Sequence, residues 1–100
     1  MNSTAQLVNK ALLLLDRNET DKAIFLLEEV YNFASSNDDM LYMIKSAAIL
    51  GEIYSMDAKV EIAKSYLLKV AELSTSDPDL MDMAGYEIEN SKRLLSKIEF

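Results

Sequence analysis

Leu50-Gly51-Glu52-Ile53-Tyr54, followed by Ala63 and Leu67, is the stretch on which the fold turns. A glycine inside a helical pattern costs about 1 kcal/mol against alanine. Gly51 therefore needs a compensating feature, and close packing of two helix backbones is the simplest one. A related arrangement stands upstream. Ala23-Ile24-Phe25-Leu26-Leu27 and Ala63-Lys64-Ser65-Tyr66-Leu67 both place a small residue four positions before a leucine, near the start of a helix that follows a polar turn. Small residues also mark the preceding helices at Ala11, Gly51 and Gly85. Ala11 and Gly51 are 40 residues apart, Gly51 and Gly85 are 34 apart. Gly85, like Gly51, is expected at a close helix crossing.

Working outward, helical periodicity covers the chain and no strand-period segment is evident. The first helix is predicted from about Thr4 to Asp16. Leu7, Val8, Ala11, Leu12, Leu14 and Leu15 share one broad arc that leaves Leu13 outside, which suits a helix with two neighbours. Arg17-Asn18-Glu19-Thr20 interrupts the pattern, and Asn18 or Thr20 can cap a second helix reaching about Ala34. Ser36 and Asp39 then have the spacing of a capping box. The third helix is predicted over about Asp39 to Met56 and the fourth over about Ala58 to Leu73. Ser74-Thr75-Ser76-Asp77-Pro78 is the clearest boundary, with Asp77 as cap and Pro78 in the first turn. The fifth helix reaches about Lys97. It is acidic at its start (Asp79, Asp82) and basic towards its end (Lys92, Arg93, Lys97), matching the helix dipole. Short connections imply antiparallel neighbours.

Composition removes several function classes. The 100 residues include no Cys and no His, which excludes disulfides, thiol and imidazole catalysis, and zinc or haem sites built on those ligands. Net charge is −7, and each part of the chain is negative: −2 over residues 1–36, −2 over 37–73 and −3 over 74–100. No basic stripe exists for nucleic acid. The longest apolar run, Ala11 to Leu15, is far short of the ~20 residues of a membrane span, and no helix has the Lys-rich polar face of a membrane-surface helix. No targeting signal is seen, so a cytoplasmic location is expected. Asp77-x-Asp79-x-x-Asp82 lacks the glycine and closing Glu of a calcium loop, and capping already accounts for Asp77. Gly51 and Gly85 are isolated and form no phosphate loop. Neither metal, cofactor nor catalysis is expected. Met1 fits a native start, and a domain of a longer protein is the alternative.

The stretch around Gly51 resembles the tetratricopeptide repeat family, whose pattern is Trp-x-x-Leu-Gly-x-x-Tyr, then Ala-x-x-x-Phe, then Pro. Ala47 stands where Trp is usual, Leu67 replaces Phe, and the proline comes late, at Pro78. In a first unit Leu7, Ala11 and Leu14 take the first-helix positions, with Ala23 and Leu27 on the second helix. Glu19-Thr20-Asp21-Lys22-Ala23-Ile24 is similar to the family's usual start of a second helix. A third unit has only its first helix, around Met81, Gly85 and Ile88. The resemblance implies an all-α fold of five antiparallel helices, arranged as two and a half helical hairpins in a short right-handed superhelix. Unit one would cover 4–36, unit two 38–74, and a C-terminal capping helix 77–98. The six extra residues between the first two units imply a longer third helix and an irregular superhelix. A plain helical bundle is the alternative.

The family binds peptides or helices on an inner surface made by the first helix of each pair. Carried over, that surface comprises Val8, Leu12 and Leu15, then Lys45, Ala48, Glu52, Ser55 and Met56, then Asp79, Asp82, Tyr86, Glu89 and Asn90. It is apolar at one end and acidic at the other, which suits another protein's amphipathic segment bearing Lys or Arg. The Lys-Asn-Lys-Arg set with which some members clamp acidic tails is not met, since Lys45 is the only cation among these positions. The plainer readings are that Leu12 and Leu15 are core, the acidic residues a solvated face, the methionines gap-fillers and the tyrosines packing residues, with Tyr86 partly exposed. A second function is self-assembly. Met83 and Leu94 flank the fifth helix's apolar stripe of Leu80, Met81, Ala84, Ile88, Leu95 and Ile98, and an uncovered margin there suggests a homodimer contact. A third is a small chaperone-like or inhibitory regulator, which differs from the first in its partner rather than its physics.

Overall fold

Local hydrogen bonding sets where each helix starts and stops. The Ser3 hydroxyl accepts from the Gln6 N–H at 3.1 Å, and the Gln6 side chain accepts from the Ser3 N–H at 2.9 Å, a reciprocal capping box. The next three helix boundaries share another device. Asn18, Asp38 and Ala58 adopt left-handed conformations, with φ of 61°, 53° and 59°. Each lets the following N–H reach back to a carbonyl in the last turn: Glu19 to Leu14 at 2.8 Å, Asp39 to Ala34 at 2.9 Å, and Lys59 to Tyr54 at 2.9 Å. Asn and Asp tolerate this conformation, whereas an alanine there costs about 1–2 kcal/mol.

In this computed structural model, which describes residues 3–98, the helices are α1 (Thr4–Asp16), α2 (Thr20–Ser36), α3 (Met40–Met56), α4 (Val60–Leu73) and α5 (Asp79–Ile98). No strand occurs among the described residues. The fold is all-α, and the polar turns divide it where the sequence predicts. The caps differ from expectation. Glu19 and Lys59 precede α2 and α4 without a side-chain cap bond, because the left-handed residue before each sets the boundary instead. Asp39, not Ser36, caps α3 by accepting from the Tyr42 N–H at 3.3 Å. Asp77 does cap, accepting from the Asp79 N–H at 2.9 Å.

Helix α3 occupies the centre. It packs against α2, α4 and α5, and α1 packs on α2. Ile44, Ser46, Ala47, Leu50 and Gly51 of α3 are all buried. One core cluster joins Ile44 and Ala48 to Val70, Leu80 and Ile88, and a second joins Leu50 to Ala11, Ala23 and Leu27. Buried positions recur 40 residues apart: Ala11 and Gly51, Ala23 and Ala63, Leu27 and Leu67, Val30 and Val70. The left-handed residues Asn18 and Ala58 keep the same offset.

The two glycines part company. A Cβ on Gly51 would lie 2.5 Å from Leu67 Cδ2 and 2.7 Å from Leu67 Cγ, so α3 and α4 approach as closely as expected. Around Gly85 nothing lies within 4 Å of such an atom, which corrects the expectation of a crossing there. Gly85 instead follows a kink in α5, where Ala84 has φ −137° and ψ 32°, and glycine is a common companion of such breaks. The residue 40 positions beyond Gly51 is Ser91, which is buried. Met81, expected on the apolar stripe, is exposed, whereas its neighbour Leu80 is buried as expected.

Candidate functional site

The odd-numbered helices converge on a groove of about 800 Å³. The last turn of α1 contributes Leu12, Leu15 and Asp16. The second half of α3 contributes Ala48, Ile49, Glu52, Ile53 and Met56, and the middle of α5 contributes Tyr86, Glu87 and Asn90. Thr20, Asp21 and Ile24 from the start of α2, with Asn18, Asp57 and Lys59 from the turns after α1 and α3, complete the lining. The position follows from the turns. The left-handed residues Asn18 and Ala58 lie in the turns directly after α1 and α3, and these turns and the residues beside them supply Asp16, Thr20, Asp21, Asp57 and Lys59 to the lining.

Leu12, Leu15, Ala48, Glu52, Met56, Tyr86 and Asn90 of the expected surface line this groove. Met56 is 83% exposed and Tyr86 76%, so both offer free apolar area, whereas Ala48 is buried and forms floor. The other expected residues lie outside the lining. Val8, one turn before Leu12, is buried. Lys45 is drawn into an ion pair with Glu87 at 3.6 Å, both side chains partly buried. Ser55 is half-buried, and Asp79, Asp82 and Glu89 are exposed elsewhere on the surface. Met83 is exposed and Leu94 half-buried, neither in the groove.

Charge in the lining is one-sided. Five carboxylates line it, Asp16, Asp21, Glu52, Asp57 and Glu87, with one lining cation, Lys59; Glu87 is paired with Lys45 and Asp57 with Lys59, which leaves Asp16, Asp21 and Glu52 without an ion pair among the described residues. Lys59 sits 3.6 Å from Asp57 and 6.0 Å from the centre of the Tyr54 ring. Glu52 is fixed across the groove, its Oε2 accepting from Asn90 Nδ2 at 3.1 Å, while Asn90 Oδ1 accepts from Arg93. Asp16 and Asp21 stand exposed at the rim. Among the described residues no group of three or more acidic side chains could hold a metal ion, and no helix is long and apolar enough to cross a membrane.

Sequence reasoning missed the Asp16, Asp21, Asp57 and Lys59 rim, because the resemblance directs attention to the first helix of each pair and not to the turns. It also missed a tyrosine cluster that joins three helices. Tyr66 of α4 meets Tyr31 of α2 edge-on at 5.5 Å and stacks with Tyr54 of α3 at 6.1 Å. Burial pushes the Tyr66 hydroxyl up to about 12, assisted by the Glu28 carboxylate and then by its two tyrosine neighbours. Burial, then Glu28, also raises Tyr54. The spacing of Glu28 and Tyr31 on one helix face was available as a signal; the arrival of Tyr66 from α4 was not.

No protein-family model matches this chain, and no curated protein or solved structure matches it.

Proposed function

We propose that this chain is a non-catalytic protein–protein interaction module that binds a Lys- or Arg-bearing segment of another protein in the groove between α1, α3 and α5. The observation that carries the reading is the lining: an apolar floor with Met56 and Tyr86 largely exposed, beside Asp16, Asp21 and Glu52, carboxylates that form no ion pair among the described residues. Opposite charge would steer the partner in, and the apolar side chains would hold it. With this goes a proposed architecture: antiparallel helices forming two and a half hairpins of tetratricopeptide type in a short right-handed superhelix. In its support, connections between the first four helices are three residues long, the first helix of each proposed pair reaches one groove, and buried positions recur at an offset of 40. That offset departs from the 34 residues usual in the family.

The test is capture of partners from lysate by the wild-type chain and by the Met56→Ala/Tyr86→Ala variant, each at low and moderate salt. The expected partner carries a basic segment, is lost with the variant and is weakened by salt. A partner retained by the variant at moderate salt would place binding on another surface and end this reading. Exposed Met81 and Met83 on α5 favour a second reading, self-association through that helix. Light scattering separates the two, since the groove reading expects a monomer at high micromolar concentration and the second a dimer.

A further inference from the structure

We infer that Glu52 is the carboxylate that receives the partner's Lys or Arg side chain, and that Asp16 and Asp21 only steer the partner in. This assignment rests on the groove reading above and adds the residue that reads the charge. The five lining carboxylates are not equivalent. Glu87 already has Lys45 and Asp57 already has Lys59, each at 3.6 Å. Asp16 and Asp21 are exposed, and an ion pair between exposed groups is worth little and is screened by salt. Of the five, Glu52 alone is partly buried, held in place by a hydrogen bond and without an ion pair among the described residues.

The place of Glu52 follows from helical spacing. On α3 it lies one turn after Ala48, which is buried floor, and one turn before Met56, which is exposed. On α5 Asn90 lies one turn after Tyr86. Asn90 Nδ2 donates to Glu52 Oε2 at 3.1 Å, and Arg93 donates to Asn90 Oδ1. Arg93 thereby fixes which end of the amide faces Glu52. A carboxylate accepts at about four lone-pair sites, and Asn90 occupies one. The others stand beside the apolar floor with the carboxylate already ordered, so a cation that meets them loses little to ordering it. Partial burial there strengthens a charge-assisted hydrogen bond, and the apolar stem of a Lys or Arg side chain can pack on Met56 and Tyr86. Asn90 is then a positioning residue, acting through Glu52.

The probe is the tripeptide acetyl-Leu-Lys-Leu-amide, which carries one cation between apolar groups. Its control has norleucine in place of Lys, which keeps the stem and lacks the ammonium. Binding to the full chain is followed by NMR at moderate salt, reading the Asp and Glu carboxyl carbons, the Met56 methyl and the Tyr86 ring. The expected result is a saturable shift at Met56, Tyr86 and the Glu52 carboxyl, with the norleucine peptide about tenfold weaker. Glu52→Gln is isosteric and keeps an acceptor for Asn90. It should weaken the lysine peptide about tenfold and leave the norleucine peptide unchanged, whereas Asp16→Asn/Asp21→Asn should change either by less than about twofold. Asn90→Ala should weaken the lysine peptide and not the norleucine one, a split that a merely structural role would not give. If it weakens both alike, or neither, the positioning role of Asn90 falls. If the lysine peptide outbinds the norleucine one but its carboxyl shift registers at Asp16 or Asp21, or its binding survives Glu52→Gln undiminished, the assignment to Glu52 falls and the groove reading stands. If Met56 and Tyr86 do not shift, or the norleucine peptide binds as tightly as the lysine one, both fall.

Discussion

Replacing each glycine by alanine tests the close approach of α3 and α4. At both sites the added methyl improves helix propensity by about 1 kcal/mol, and neither glycine has a positive φ that would resist it. At Gly85 nothing within 4 Å opposes the gain, so Gly85→Ala is expected to stabilise by about 0.5–1 kcal/mol. At Gly51 the new atom would sit 2.5 Å from Leu67 Cδ2 and 2.7 Å from Cγ. Leu67 is fully buried and its Cγ cannot swing away like the tip of a long chain. Overpacking of a tight core costs about 1–3 kcal/mol. This contact lies towards the upper end, so Gly51→Ala is expected to destabilise by about 1–2 kcal/mol net. The assay is thermal and urea unfolding followed by circular dichroism. At about 4–8 °C per kcal/mol for a domain of this size, the two midpoints should move in opposite directions by several degrees, with the urea slope unchanged. A double-mutant cycle locates the cause: Leu67→Ala alone costs about 2–5 kcal/mol, and should cost less in the Gly51→Ala background, where the new methyl occupies part of the cavity. A raised midpoint for Gly51→Ala, or additive effects in the cycle, would refute the packing argument.

Two further outcomes follow from polar groups in or near the core. Ser91 is 1% exposed, and its hydroxyl meets no hydrogen-bond partner among the described residues; Ser91→Ala should therefore stabilise by about 1 kcal/mol, since an unpaired buried polar group costs about 1–3, and a clear loss of stability would show that the hydroxyl is paired in solution. The Tyr66 hydroxyl is raised from 10.0 to about 12 by burial and then Glu28. The fold thus favours its neutral form, and the stability this contributes is complete below pH 10 and is lost as pH rises through about 12. Phenolate absorbance should reveal late-titrating tyrosines, Tyr66 and Tyr54, whose midpoints fall in Glu28→Gln, and Tyr66→Phe should flatten the decline in stability over that range. A midpoint unmoved by Glu28→Gln would remove the carboxylate from the explanation.

Helix positions were legible because the breaks after α1, α2 and α4 are clusters of polar turn formers. The observed limits of α1 and the observed ends of α3 and α4 agree with the sequence reading. The beginnings were harder, because a left-handed residue leaves little trace in sequence when it is Ala58. Gly85 illustrates the same gap. Spacing and composition mark Gly51 and Gly85 alike, and only the path of α5 distinguishes a helix crossing from a kink. In the groove, residues lying four apart on one helix were legible, as with Ala48, Glu52 and Met56. The acidic rim was not, since Asp16, Asp21 and Asp57 come from two separate turns that reach one groove only in the packed fold. The family resemblance placed Lys45 on the expected surface, but its pairing with Glu87 depends on the contact between α3 and α5, which a resemblance to one repeat does not specify.

Helix α1 is the least supported wall of the groove. It packs chiefly on α2 and buries only Val8 and Ala11, whereas α3 is enclosed by three neighbours. A ligand reaching from Leu12 to Tyr86 would act as a staple across the molecule, tying a loosely moored helix to the opposite side. Part of the free energy released on docking would then go into quieting α1 instead of appearing as affinity. Occupancy would be felt beyond the contact surface, as a stiffer amino-terminal third.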